Sequence, residues 1–293
     1  MADFLQQVVS GLASGGIYAS LALALVLIYR ATQVVNFAQG EMAMFTTFVA
    51  WSLMERMDYW PAFVLTLLIA FVGGAALQLA LIRPLQDAPV LTIVIITIGL
   101  LIGLNGLARI IWGNEPRVLD SPFSNDPIRI GGVAFSVQDL GIIAVSLAIV
   151  VLLWLFFRFT KLGLGLRAAA VNPGASRLVG VRVGLMLAFG WGLAAVLGAV
   201  AGMMAAPPLG SFDQNLMQPL LLYAFAAAVL GGIDSPLGAV VGGLAIGVIV
   251  NLAGAYIDFV GADLRLPVAL LVILVVLLVR PAGLFGHEAV RRV

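Results

Sequence analysis

Residues 139–182 read DLGIIAVSLAIVVLLWLFF followed directly by RFTKLGLGLRAAAVNPGASRLVGVR. The first part, 139–157, carries one charge, Asp139, at its start. At 1.5 Å per residue, a helix of this length crosses most of a hydrocarbon layer about 30 Å thick. The second part, 158–182, contains no acidic residue and these cations: Arg158, Lys161, Arg167, Arg177 and Arg182. Because basic residues in short loops stay in the cytoplasm, the stretch predicts a membrane span followed by a cytoplasmic loop.

The rest of the chain has the same apolar character. Of its 293 residues, 62% are hydrophobic and 10% are charged, against about 25% charged in a soluble domain. A soluble core could not hide so much apolar surface, so the bilayer is the solvent for most of the chain. Apolar spans are predicted at 4–29, 36–54, 61–82, 91–111, 139–157, 183–206, 217–232, 237–257 and 266–280.

These spans predict an all-α polytopic protein, a single transmembrane domain over 1–293, with about nine spans. Eight or ten would follow if one short span were misjudged, and 217–232, which ends in two glycines, is short enough to be broken or re-entrant. Counting outward from the basic loop puts the polar segment 112–138 outside, the N-terminus outside and the C-terminus inside. Arg280, Arg291 and Arg292 agree with an inside tail.

Small residues recur four positions apart within the spans, a spacing that lets helix backbones approach closely in lipid. The pairs are Gly11/Gly15, Gly99/Gly103, Gly198/Gly202, Gly238/Gly242 and Gly243/Gly247. They predict a closely packed bundle and carry no information about the substrate.

Several kinds of chemistry are excluded. Lys161 is the only lysine and no phosphate-binding GxxxxGK[ST] run exists, so the chain is not itself a P-loop ATPase. His287 is the only histidine and Cys is absent, which argues against His-based catalysis, metal sites and thiol nucleophiles. We therefore expect no enzymatic activity, no metal and no cofactor in this chain, but a passive conduit with an external energy source.

Within the basic loop, AAAVNPGASRLVGVR predicts a short helix with both ends marked. Asn172 is a favoured N-cap, Pro173 suits the first helical position, and Gly180 suits the left-handed residue after the last turn. So short a helix is unstable alone in water. It fits either insertion into the groove of a partner or an interfacial helix resting on lipid headgroups.

The segment GLGLRAAAVNPGASRLVGV with the Gly/Ala-rich AFGWGLAAVLGAVAG resembles the coupling region of ABC importer permeases of the branched-chain amino-acid (LIV) type. GLASGGIYASLALALVLIYRATQVVNFAQGEMAM, AAAVLGGIDSPLGAVVGGLAIGV and VLLVRPAGLFG resemble the same family, in order and over most of the chain. The likeness is to the shorter of the two permease subunits.

The resemblance implies an inner (plasma) membrane subunit that imports branched-chain or other small hydrophobic amino acids by alternating access. It implies a second related permease, two cytoplasmic ABC ATPases that bind ATP and Mg, an extracytoplasmic amino-acid-binding protein and membrane lipid as partners, and no nucleic acid. The residues that match the coupling element are Arg167, Asn172, Pro173, Gly174, Ala175, Arg177 and Gly180. The family often has an acidic residue after the proline turn, where this chain has Gly174 and Ala175.

The stretch TQVVNFAQGEMAMF, Thr32 to Phe45, places three polar residues at the start of the second span. Asn36 and Gln39 have the spacing of an N-cap and its N3 partner. They share a helix face on which they could also line the cytoplasmic end of a conduit. Glu41 faces elsewhere, and we expect a structural or interface role for it, pairing with Arg30 or with a partner subunit.

A rival hypothesis is a self-sufficient channel or secondary carrier for small neutral solutes, urea and amides included. It predicts transport by this chain alone, driven by a gradient and indifferent to ATP. The importer hypothesis predicts no active uptake without the ATPases.

Overall fold

The computed structural model describes residues 2–85, 88–124, 126–130, 133–261 and 263–286. The predicted inside cations Arg291 and Arg292 lie outside the described residues, as does His287.

The described chain is almost entirely helical. Its helices are α1 (Ala2–Thr32), α2 (Gln39–Met54), α3 (Tyr59–Leu77), α4 (Val90–Trp112), α5 (Val137–Phe159), α6 (Lys161–Val171), α7 (Pro173–Leu178), α8 (Val183–Ala205), α9 (Met217–Gly231), α10 (Pro236–Tyr256) and α11 (Arg265–Val279). A π-helical turn, Gln78–Ile82, and a 3₁₀ turn, Arg83–Leu85, extend α3, and another 3₁₀ turn, Pro207–Leu209, follows α8.

The predicted all-α polytopic class is confirmed. Six helical stretches are long and apolar enough to cross a membrane: Asp3–Thr32, Tyr59–Leu85, Val90–Trp112, Val137–Phe159, Val183–Leu209 and Pro236–Tyr256. The other three predicted spans correspond to the shorter helices α2, α9 and α11. The number of crossings and the side on which each terminus lies stay predictions.

The core forms around α1 and α8. Of the most apolar window of each helix, 83% is buried in α1 and 67% in α8, but only 11% in α4. A Cβ on Gly15 would lie 2.8 Å from Cα of Leu244, and one on Gly11 would lie 2.8 Å from Cα of Val248. Leu244 and Val248 lie in α10. Helices α1 and α10 therefore run antiparallel with their backbones in contact, as small residues permit.

The close packing predicted at Gly11/Gly15 is confirmed, and the same prediction is wrong for Gly99/Gly103. A Cβ on either of these α4 glycines would have no described atom within 4 Å. The reason is that α4 lies at the periphery of the bundle, where little of its surface is covered by the rest of the described chain.

The bundle has two distinguishable ends. Arg30 of α1 and Arg167 of α6 line one cavity, and this end, which carries α6 and α7, is called the basic-loop end. The opposite end, the hairpin end, carries β1 (Pro127–Ile130) and β2 (Val133–Ser136), an antiparallel pair with Pro127 opposite Ser136. There the Ser10 hydroxyl donates a 2.6 Å hydrogen bond to Oδ2 of Asp139. The hairpin was not predicted within 112–138, although apolar and β-branched residues on both sides of a Gly-Gly pair are its usual signal.

Candidate functional site

The connection between α1 and α2 runs through the interior of the protein. Helix α1 ends at Thr32, and Gln33 adopts the positive φ of 58° that turns the chain. The non-helical residues that follow are largely buried: Asn36 is 1% exposed and Ala38 is 0% exposed. Such backbone in a membrane protein is tolerated where protein covers it or where it lines a cavity.

The first residue of α2 contacts the middle of α8. Nε2 of Gln39 donates a 2.9 Å hydrogen bond to the carbonyl oxygen of Ala194. Ala194 is 11 residues into α8, about 17 Å along the helix from Val183 at 1.5 Å per residue. Helix α2 therefore begins beside the middle of α8 and not beside its start, and the expectation that Asn36 and Gln39 line the cytoplasmic end of a conduit stays a prediction. The non-helical segment carries the chain inward before α2 begins.

The prediction that Asn36 and Gln39 form an N-cap pair for α2 is wrong. Ala38 is the N-cap of α2 and no side chain caps this helix. Oδ1 of Asn36 instead accepts a 3.0 Å hydrogen bond from the backbone N–H of Ala38, and its Nδ2 donates at 3.4 Å to Oε1 of Gln39. The two amides do contact each other, but they stabilise the turn before the helix and do not cap it. Nε2 of Gln39 is bonded to α8 instead.

Glu41 lies on a different face of α2, as helix geometry predicted. Only 4% of the residue is exposed, and its Oε2 accepts a 3.2 Å hydrogen bond from Nδ2 of Asn105 in α4. Nδ2 of Asn105 also donates to the carbonyl oxygen of Gln214, at 3.2 Å. Oδ1 of Asn105 accepts a 2.8 Å hydrogen bond from Nε of Arg109. Glu41 thus joins α2 to α4 through an amide that also contacts a guanidinium.

The expected pairing of Glu41 with Arg30 is wrong, since Arg30 lies at the basic-loop end and Asn105 takes its place. A partner subunit does not reach Glu41 in this conformation either, because the side chain is buried inside the chain. The interface that Glu41 serves here is the one between α2 and α4.

Sequence reasoning missed Asn105, Gln214 and Gln78. The available signal was an amide inside an apolar span, which is costly in lipid and therefore tends to have a partner. Gln78 lies in the π-helical turn, is 0% exposed, and has no hydrogen-bond partner for either side-chain atom among the described residues. Single π turns occur frequently at functional sites.

The predicted helix in the basic loop is confirmed. Oδ1 of Asn172 accepts a 2.9 Å hydrogen bond from the backbone N–H of Ala175, Pro173 opens α7, and Gly180 has φ of +84°. The surface of this segment is apolar and uncovered, with Leu178 90% exposed and Val179 79% exposed. Apart from Ser176, all residues from Val171 to Gly180 are exposed.

The other residues assigned to coupling divide between two helices. Gly174, Ala175 and Arg177 lie on α7, whereas Arg167 lies on the preceding helix α6, which was not predicted. Only residues 179–182 separate α7 from α8, the helix whose Ala194 accepts the hydrogen bond from Gln39. Among the described residues, no group of three or more His, Cys, Asp or Glu side chains could hold a metal ion.

The amino-acid sequence has relatives of known type over nearly its whole length. Residues 7–279 match the family described as branched-chain amino acid transport system / permease component. The chain belongs to this family. It is a multi-pass protein of the inner membrane and the permease subunit of an ABC importer, as the sequence predicted.

Individual relatives match over different shares of the chain. It is 29% identical to the high-affinity branched-chain amino acid transport system permease protein LivH of Salmonella typhimurium, with 99% of this chain and 98% of LivH aligned. It is 30% identical to the corresponding permease protein BraD of Pseudomonas aeruginosa, with the same coverage. The galactose/methyl galactoside import permease protein MglC of Escherichia coli is 31% identical over 77% of this chain and 72% of its own length.

Proposed function

We propose that this permease subunit translocates branched-chain or other small hydrophobic amino acids. In the proposed assembly it pairs with a second related permease, two cytoplasmic ATPases and an extracytoplasmic amino-acid-binding protein. The full-length likeness to LivH and BraD supports the substrate class. MglC and a fructose import permease are also relatives, so the substrate test compares amino acids with sugars.

The observation that carries the proposal is the capped, exposed helix α7 joined by four residues to α8. A short helix that shows Leu178 and Val179 to solvent loses apolar hydration when it enters a groove on another protein. The N-cap Asn172 and the left-handed Gly180 fix its two ends, so it docks as a preformed unit. In this proposal the ATPases bind and hydrolyse ATP with Mg, and no covalent chemistry takes place in this chain.

The proposed movement runs from α7 through α8 to α2. When ATP binding closes the ATPase pair, α7 is displaced and moves the start of α8. The bond between Gln39 and Ala194 then either carries α2 along or breaks. If α2 separates from α8, Nε2 of Gln39 loses its acceptor in α8, while Asn36 keeps its partners Ala38, Gln39 and Met42. The freed amide of Gln39 becomes available to the carboxylate of an amino acid, and with Asn36 beside it the two residues form the proposed conduit lining in that state.

The experiment replaces residues 172–180 with a flexible Gly/Ser linker of equal length. We expect the variant to insert into the membrane and to lose association with the two ATPases in a pull-down from solubilised membranes. A matched control inserts a Gly/Ser linker of the same nine residues between Asp258 and Phe259, which are both exposed in the connection that follows α10. Retention of the ATPases by the first variant would remove the coupling assignment.

A further inference from the structure

A cavity of about 360 Å³ lies at the basic-loop end, between α1, α5, α6, α8 and α10. We call it the basic-end cavity. Its walls are mostly apolar, with contributions from Leu23, Leu27, Leu153, Phe157, Leu166 and Val240. Gly190 of α8 lies in the wall beside Leu166, and a Cβ placed there would be 3.6 Å from Cδ2 of that leucine.

Positive charge is concentrated around this apolar space. Arg30 and Arg167 line the cavity, and no Asp or Glu is among its lining residues. In the part of the chain that the structure describes, neither arginine has a hydrogen bond or an ion pair. Trp154 also lines the cavity, and Cζ of Arg158 lies 5.7 Å from the centroid of its ring. Two guanidinium groups therefore line an apolar pocket, a third lies beside its Trp154 wall, and none of the lining residues carries a carboxylate.

The position of the cavity fits the edge of the bilayer. Arg30 is in the last turn of α1, and Arg167 is in the basic loop outside the predicted spans. Trp154 is 54% exposed and Leu237 is 63% exposed, so the pocket opens onto the apolar outer surface of the chain. Trp is enriched at the level of the headgroups, where its ring is half apolar and half wet.

We propose that the basic-end cavity binds one anionic phospholipid. Part of an acyl chain fills the apolar space, and the phosphate lies against Arg30 and Arg167. Basic pockets between membrane helices on the cytoplasmic side recognise anionic headgroups in this way. A free phosphate would leave the apolar walls empty, and a zwitterionic lipid would bring a second cation close to the guanidinium groups.

The bound lipid also has a structural consequence for the basic loop. Leu166, Arg167 and Ala170 of α6 form one wall of the cavity, and α6 continues through Asn172 into α7. A lipid in the cavity therefore holds α6 against α1 and α8, and it fixes the point from which α7 projects.

The test uses the full chain purified in detergent and native mass spectrometry of lipid retained by the protein. The probes are phosphatidylglycerol and phosphatidylcholine with identical acyl chains, and inorganic phosphate alone. We expect preferential retention of one phosphatidylglycerol that excess phosphate does not displace. Arg30→Gln and Arg167→Gln are each expected to lower that preference about fivefold. Arg83→Gln removes another guanidinium at the same end, beside Gly184 and outside the cavity wall, and is expected to have no effect.

A second pair of variants tests the apolar walls of the basic-end cavity. This test stands even if the arginine variants fail to fold. Gly190→Leu fills the cavity and is expected to reduce retention of both lipids, whereas Gly190→Ala fits beside Leu166 and leaves retention unchanged. Three results would overturn the proposal. They are equal retention of the two lipids by the unaltered chain, an unchanged preference for phosphatidylglycerol in Arg30→Gln/Arg167→Gln, or displacement of the lipid by inorganic phosphate. The last would identify the site as one for free phosphate.

Discussion

Nε2 of Gln39, the first residue of α2, lies 2.9 Å from the carbonyl oxygen of Ala194 in the middle of α8. The two residues are 155 positions apart in the chain, and both are buried. The contact ties the helix that begins inside the bundle to the helix that follows the proposed coupling element. In the proposed mechanism, this contact connects the ATPase side of the chain to its interior.

Replacing Gln39 with Met removes this hydrogen bond while keeping a side chain of similar length. The variant also removes the Oε1 acceptor of the buried Asn36 amide, whose Nδ2 keeps only the weaker contact with Sδ of Met42, at a cost of about 1–3 kcal/mol. We expect reduced leucine uptake by the assembled importer, measured in proteoliposomes, with ATPase association unchanged. The matched control is Gln218→Met, an exposed glutamine at the start of α9 that donates to Asn215. Leucine uptake at the wild-type rate by Gln39→Met would show that transport does not depend on this hydrogen bond.

The contact between α1 and α10 predicts a large difference between two glycine variants. A Cβ at Gly15 would meet the backbone of Leu244, which cannot move without shifting the helix. We expect Gly15→Ala to lower the free energy of unfolding by about 1–3 kcal/mol, as overpacking usually does. Gly99→Ala, on the uncovered face of α4, is expected to leave the free energy of unfolding unchanged. Thermal unfolding in detergent measures both, and equal melting temperatures would refute the close approach.

The Glu41–Asn105 bond predicts non-additive effects. Asn105→Leu leaves a buried carboxylate without this donor and should cost about 2–3 kcal/mol, because unpaired charged groups are costly to bury. Glu41→Gln keeps an acceptor for Asn105 and should cost less. The double variant Glu41→Leu/Asn105→Leu should recover much of the stability lost in Asn105→Leu, since both partners are then apolar. A double-mutant cycle on melting temperatures checks this, and additive losses would show that the two side chains do not interact.

The N-cap of α7, Asn172, is an exposed residue of the proposed coupling segment. Asn172→Ala removes the acceptor for the N–H of Ala175 and should destabilise α7 by about 1 kcal/mol. We expect weaker ATPase association in a titrated pull-down, and recovery in Asn172→Asp, which retains an acceptor oxygen. If Asn172→Ala binds the ATPases as well as the unaltered chain does, the preformed helix is not required for docking.

Local features were predictable from the sequence and long-range ones were not. Asn172, Pro173 and Gly180 mark the ends of α7 because capping depends on neighbours a few residues away. The divergence of Gln39 and Glu41 also followed from helix geometry alone. The cap assigned to Asn36 was wrong because Gln39 bonds to Ala194, and sequence spacing carries no information about that contact. The partner of Glu41 was missed for the same reason, since Asn105 lies 64 positions away.

In the proposed mechanism, this chain moves small hydrophobic amino acids only when partner ATPases drive it. The most direct measurement is uptake of radiolabelled leucine into proteoliposomes, with urea and galactose as comparison solutes. The chain is reconstituted alone, or with the second permease, the two ATPases and the binding protein. We predict ATP-dependent accumulation of leucine by the complete assembly and none by the chain alone. Accumulation by the chain alone, driven by a gradient and indifferent to ATP, would contradict the account.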